Sequence, residues 1–149
     1  MPKFSNSFII ARPIAAVFDT ATTARYWPQW HPATVAVTGD VGHPARLGDA
    51  ITEHVSIGGE QREGTWTVVV WERPTRLRLE TRGGLGLTRI EYTLAETVDG
   101  TLFHRDLSYE LGSTTLDALM AEQSAVAVAR LKALLATLIP AGDAADTPD

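Results

Sequence analysis

No cysteine occurs among the 149 residues, which removes disulfides, thiolate catalysis and cysteine-bound metals together. No basic cluster occurs either. Thirteen Lys+Arg against eighteen Asp+Glu leave a net charge of −5, which argues against nucleic acid as a partner. Long apolar runs are missing, so no membrane span is expected. The start MPKFSNSFII lacks the basic segment and longer apolar core of a signal peptide, and a cytoplasmic location is the expectation. What is present is a composition 44% hydrophobic and 21% charged, over a length suited to one sizeable core.

Catalytic signatures are equally sparse. No G-x-S-x-G elbow exists, and Gly83-Gly84-Leu85-Gly86 links two extended runs without opening a helix, so it reads as a hairpin rather than a nucleotide loop. The four histidines, His31, His43, His54 and His104, show no metal-ligand spacing, so neither a metal nor another cofactor is expected. His43 reads as a loop residue, and His54 and His104 as strand-face residues.

Periodicity gives the elements. Phe4, Phe8 and Ile10 alternate with serines as a first strand that ends at Arg12-Pro13. Pro13 suits a first helical position, and Ile14, Val17, Phe18 and Ala21 follow at helical spacing. Thr22 or Thr23 is placed to cap a second short helix that Pro28 interrupts near its end. From about Thr34 the period changes to strands: Asp49–Ile57, Gln61–Trp71, Arg76–Arg82, Leu87–Glu96 and Thr101–Leu111. The loops between them are short, so neighbours are antiparallel, and Gly58-Gly59 supplies a two-residue hairpin. Ser113 or Thr114 then caps a helix to about Ile139, with Leu116, Leu119, Met120, Ala127, Leu131, Leu134, Leu135 and Leu138 mainly on the face toward the sheet.

Polar residues on apolar strand faces carry the chemistry. Alternation puts Phe103, Arg105, Leu107, Tyr109 and Leu111 inward on the last strand, with Tyr92 beside Ile90 and Leu94, and Glu53 beside Ile51 and Val55. An inward guanidinium is costly unless an anion meets it. Arg105 therefore pairs with Glu53, reaches the rim, or anchors a ligand. Of the four tryptophans Trp71 reads as core, whereas Trp27, Trp30 and Trp66 are divided between core and pocket wall. On Gln61–Trp71, Trp66, Val68 and Val70 compete with Val69 and Trp71 for the inner face.

The order of strand, two short helices, six-strand meander and long terminal helix resembles the START-like superfamily, with its polyketide cyclase/dehydrase-type and birch-pollen-allergen-like members. The residues that carry the likeness are Pro13 to Phe18, Tyr26-Trp27-Pro28-Gln29-Trp30, Trp71-Glu72-Arg73-Pro74 at the end of a strand, and Gly100-Thr101. The resemblance implies an α+β helix-grip fold, a curved seven-stranded antiparallel sheet wrapped around the C-terminal helix, in one domain over 1–140. The acidic tail 141–149 is expected to be disordered. It also implies an internal cavity with Trp30-His31-Pro32 near its entrance. There His31 is either a hydrogen-bonded structural group or an acid–base residue.

The candidate ligand-binding set is accordingly Trp27, Trp30, His31, Glu53 and Trp66, with Tyr92, Phe103, Arg105, Tyr109 and Met120. The expected function is binding or carriage of a small hydrophobic molecule, polyketide-like, aromatic or lipid-like. One alternative is a polyketide cyclase or dehydratase acting by proton transfer from Arg105, Glu53, His31 or a tyrosine. Another is a co-chaperone-like interaction module, for which the core would be filled by side chains.

Overall fold

The first strand, β1 (Lys3–Ile10), ends where Pro13 removes a backbone donor, and the chain enters α1 (Ile14–Thr22) with Pro13 as its N-cap rather than its first helical residue. A computed structural model describes residues 3–83 and 85–139, and the tail 141–149 lies outside the described residues. Thr23 does not cap the next element. Its hydroxyl donates back to the Asp19 carbonyl, and a 3₁₀ turn, Ala24–Tyr26, leads into α2 (Trp27–Trp30). Pro28 sits in the first turn of α2, where its missing N–H costs nothing, so it starts the helix instead of interrupting it.

The sheet follows as β2 (Thr34–Gly39), β3 (Ala50–Ile57), β4 (Glu60–Glu72), β5 (Arg76–Gly83), β6 (Gly86–Thr97) and β7 (Gly100–Tyr109). Its order is β1-β7-β6-β5-β4-β3-β2, antiparallel throughout. Gly58 and Gly59, at φ 59° and 83°, make the β3–β4 hairpin that the sequence predicts. The sheet curls into a half-barrel around α3 (Thr114–Leu138), which packs against β1 and α2. The Ser113 hydroxyl caps α3 by accepting from the Leu116 N–H.

The core lies in the concavity. On β7, Thr101, Phe103, Arg105, Leu107 and Tyr109 are buried, matching the period-2 reading, while Leu111 lies beyond the strand and is exposed. Leu138 is also exposed, although Leu135 and Ile139 on either side of it are buried, so it lies off the covered face of the last turn. Ser124, by contrast, is buried on the helix stripe between Met120 and Ala127.

The β4 ambiguity has a structural cause. Pairing shifts between Val68 and Val70, so Trp66 and Val68 are buried before the irregularity, Val69 is extruded, and Trp71 returns opposite Leu77. The set Trp66, Val68 and Val70 therefore supplies the inward face, with Val70 half-buried, and Val69 is exposed. Trp71 nevertheless sits at the end of the sheet and is 40% exposed, which corrects its expected core position.

Candidate functional site

Two cavities lie end to end between the sheet and the helices. The outer one, about 130 Å³, has walls that include Val55, Ile57, Leu107 and Met120, with Arg62 and Arg82 also among its lining residues. The inner one, about 10 Å³, holds roughly one water and is enclosed by Trp27, Trp30, Leu79, Tyr92 and Arg105. His31, Glu53, Trp66 and Ile90 line both.

Arg105 dominates the inner chamber. It is 1% exposed, so it does not reach the rim, and it makes no ion pair with Glu53 among the described residues. Its Nη1 donates to Ser124 Oγ at 3.3 Å, and its Cζ stands 5.9 Å from the Trp30 ring centroid. Its Nε and Nη2 have no hydrogen-bond partner among the described residues. Trp27 Nε1 and Trp30 Nε1 are also buried without partners. Four donor atoms of residues that line this small chamber are thus buried without partners among the described residues, and a buried donor left unpaired costs about 1–3 kcal/mol.

Glu53 is held elsewhere. Its Oε1 accepts from Trp66 Nε1 at 2.9 Å and its Oε2 from Thr34 Oγ1 at 2.5 Å, so each oxygen has a donor other than Arg105. Thr34 Oγ1 also lies 2.9 Å from His31 Nδ1. Burial first, and then the Arg105 charge, push His31 down to about 3, so the imidazole is neutral near pH 7. Burial likewise pushes the Tyr92 phenol up to about 12, against the opposing pull of Arg105.

Seven of the ten sequence candidates, Trp27, Trp30, His31, Glu53, Trp66, Tyr92 and Arg105, meet around the inner chamber. Met120 lines the outer cavity. Phe103 and Tyr109 line neither. Phe103 stacks on Phe8 with centroids 5.2 Å apart and supports Tyr92 from behind, also at 5.2 Å. Tyr109 donates to Asp117 Oδ1 at 2.6 Å, tying the end of β7 to the first turn of α3. Sequence reasoning missed Thr34, which carries no signal beyond its position at a strand start. It also missed Ser124, whose signal was a hydroxyl on an apolar helix stripe.

The other histidines are peripheral. His54 lies 3.4 Å from Glu63, and His104 lies 2.9 Å from Asp106 on the outer face of the sheet. The β2–β3 loop gathers Asp40, His43 and Asp49, residues too irregularly spaced to register as a metal pattern. Two of them already brace the loop: Asp40 Oδ2 accepts from the Ala50 N–H and Asp49 Oδ2 from the Arg46 N–H.

Comparison with known proteins agrees with this architecture. Residues 1–137 match the family model described as polyketide cyclase / dehydrase and lipid transport. No curated protein matches the sequence. Among solved structures, a START superfamily protein from Mycobacterium smegmatis superposes with a TM-score of 0.75 at 15% identity, covering 93% of this chain and 99% of that one. A Chromobacterium violaceum protein gives 0.72 at 15% identity, covering 91% and 98%. Ara h 8.0201 gives 0.67 at 11% identity, covering 91% and 97%. At these identities the solved structures establish the helix-grip fold and nothing finer. Among the described residues no helix is long and apolar enough to cross a membrane.

Proposed function

The chain belongs to the polyketide cyclase/dehydrase and lipid transport family, and from that premise we propose that it binds and carries a small, largely apolar molecule with one oxygen-bearing head. The head enters the inner chamber and the apolar body fills the outer cavity, with the protein working in the cytoplasm. The observation that carries this reading is Arg105, a buried guanidinium with two N–H-bearing nitrogens unpartnered at the closed end of an apolar cavity. An apolar cavity of about 150 Å³ accepts a benzene-sized ring, so about 130 Å³ suits one ring whose remainder extends through the mouth.

Carriage is favoured over cyclase or dehydratase chemistry by the environments of two of the candidate acid–base groups. Burial holds the His31 imidazole neutral and the Tyr92 phenol protonated near pH 7, and both oxygens of Glu53 already accept hydrogen bonds from Trp66 and Thr34. An interaction module of the co-chaperone-like kind has no need of an unfilled space beside a buried charge.

The test is titration with 2-naphthoate, an aromatic acid that fits this description, followed by intrinsic tryptophan fluorescence. Trp27, Trp30 and Trp66 all border the chamber, so a saturable change is expected, reduced in Trp30→Phe. An unchanged signal, with no heat of binding at millimolar acid, would overturn the reading.

A further inference from the structure

A chain of three polar side chains crosses the boundary between the two cavities. Thr34 Oγ1 donates to Glu53 Oε2 at 2.5 Å and lies 2.9 Å from His31 Nδ1. A hydroxyl has one proton to give. Once that proton is on the Glu53 bond, the Thr34–His31 contact is a hydrogen bond only if Nδ1 carries the hydrogen. A neutral imidazole has a single N–H, so Nε2 is left as a bare lone pair. Nε2 has no hydrogen-bond partner among the described residues, and the ring borders both cavities.

Charge keeps the ring in this role. The titratable groups around it are Glu53 from β3, Tyr92 from β6 and Arg105 from β7 on the inner side, and Arg62, Glu63 and Arg82 on the outer side. Burial and Arg105 push His31 well below its ordinary value, so the ring is neutral near pH 7 and Nε2 accepts. The unpartnered groups of the inner chamber do the opposite: Arg105, Trp27 and Trp30 only donate. The His31 lone pair therefore stands, with the Tyr92 hydroxyl that Arg105 faces, as an acceptor beside a cluster of donors.

We propose that the site selects hydroxylated aromatic acids or ketones, the ligand's carboxylate or carbonyl oxygen resting on the Arg105 donors while its hydroxyl donates to His31 Nε2. A plain fatty acid satisfies only the first half of this pattern. The inference rests on the carriage reading and adds the second recognition element to it. Glu53 and Thr34 act as positioning residues that fix the tautomer, while His31 touches the ligand.

Two measurements test it. The first is ¹⁵N NMR of the unmodified protein, in which the His31 ring is expected to show a protonated Nδ1 and an unprotonated Nε2 from pH 7 down to pH 5. The second compares 2-naphthoate with its 3-, 6- and 7-hydroxy derivatives and the matching methyl ethers. At least one hydroxy isomer is expected to bind roughly 3- to 10-fold tighter than the parent, the worth of one net hydrogen bond. Its methyl ether, which keeps the oxygen and loses the donor, should show no gain, and His31→Phe should abolish the difference between alcohol and parent. An Nε2–H tautomer, an imidazolium at pH 6, or hydroxy and methoxy derivatives that bind alike would each overturn the proposal while leaving carriage intact if 2-naphthoate still binds. Failure of 2-naphthoate itself removes the carriage reading and this inference with it.

Discussion

Replacing Arg105 by methionine should make the empty protein more stable and the loaded protein weaker. In the empty state Arg105 gains little: a hydrogen bond to Ser124 stretched to 3.3 Å and a position 5.9 Å over Trp30, at the outer limit of a cation–π contact. Together these contribute on the order of 1–2 kcal/mol. Against them stand two unpartnered nitrogens, Nε and Nη2, in a side chain that is 1% exposed, each costing about 1–3 kcal/mol before the charge itself is considered. Methionine keeps the apolar stem and removes the donors. The net expectation is a gain of about 1–3 kcal/mol, which for a domain of this size raises Tm by roughly 3–9 °C. Binding of 2-naphthoate should weaken by about 1.5–3 kcal/mol, or roughly 10- to 150-fold, the range for charge-assisted hydrogen bonds. Thermal unfolding and calorimetric titration of the two proteins read both quantities. The reasoning fails if Arg105→Met lowers Tm by several degrees and Glu53→Gln restores it, because that pattern belongs to a buried ion pair whose partner has been stranded.

Acid stability should carry the mark of His31. Its folded value of about 3 lies below the ordinary 6.5, so the unfolded chain binds the proton more readily, and stability falls as pH drops from 6.5 toward 3 at up to about 1.4 kcal/mol per pH unit. Two carboxylates add losses in the same direction lower down. Glu91 is raised by burial but lowered more by Arg78 and Arg76, and Asp106 is raised by burial but lowered more by Ser5, His104 and Lys3. The interval from pH 6.5 to 5 therefore isolates the histidine, and urea midpoints there should flatten in His31→Phe; an unchanged slope would refute the assignment. Gly100→Ala should cost more than about 2 kcal/mol by urea unfolding, because Gly100 sits at φ 132° and an added Cβ would stand 2.2 Å from the Ile10 carbonyl oxygen and 2.8 Å from Ala11 Cα. A loss within error of zero would mean that the β1 end yields freely.

What the sequence made legible was whatever a period of two or 3.6 determines when one face is buried. The inward register of Arg105 follows from Phe103, Leu107 and Tyr109, and Glu53 and Tyr92 follow from their neighbours in the same way. Trp71 was misplaced because, although the irregularity at Val69 returns it opposite Leu77, it stands at the end of β4 where no neighbour covers the ring, and no local pattern marks either that end or which valine is extruded. Leu111 was misplaced because periodicity does not say where a strand ends, and Leu138 because it falls at the margin of the helix's buried face. The site was legible as a set of residue types but not as a network. Whether Glu53 meets Arg105 or Trp66 depends on distances between β3, β4 and β7, which no local pattern encodes. The same holds for Asp40, His43 and Asp49, brought together only by the path of the β2–β3 loop.

The arrangement around Glu53 explains how Arg105 keeps unpartnered donors inside a core. A carboxylate and a guanidinium lining one dry chamber would ordinarily close on each other, and the chamber would then be a structural ion pair with nothing left for a ligand. Here Trp66 Nε1 and Thr34 Oγ1 occupy both oxygens of Glu53, from strands on the same side of the chamber. The carboxylate is satisfied where it stands, and Arg105, across the sheet on β7, keeps its free donors. Ser124 takes one weak bond, enough to orient the guanidinium from the helix side without consuming it. The Thr34–Glu53 bond also fixes the Thr34 proton, and through it the His31 tautomer. A single acidic side chain thus separates the donors on one wall from the acceptor on another. Removing it should collapse the distinction: in Glu53→Gln the amide competes for Thr34 and Trp66 with a donor of its own, which leaves the histidine free to present either nitrogen.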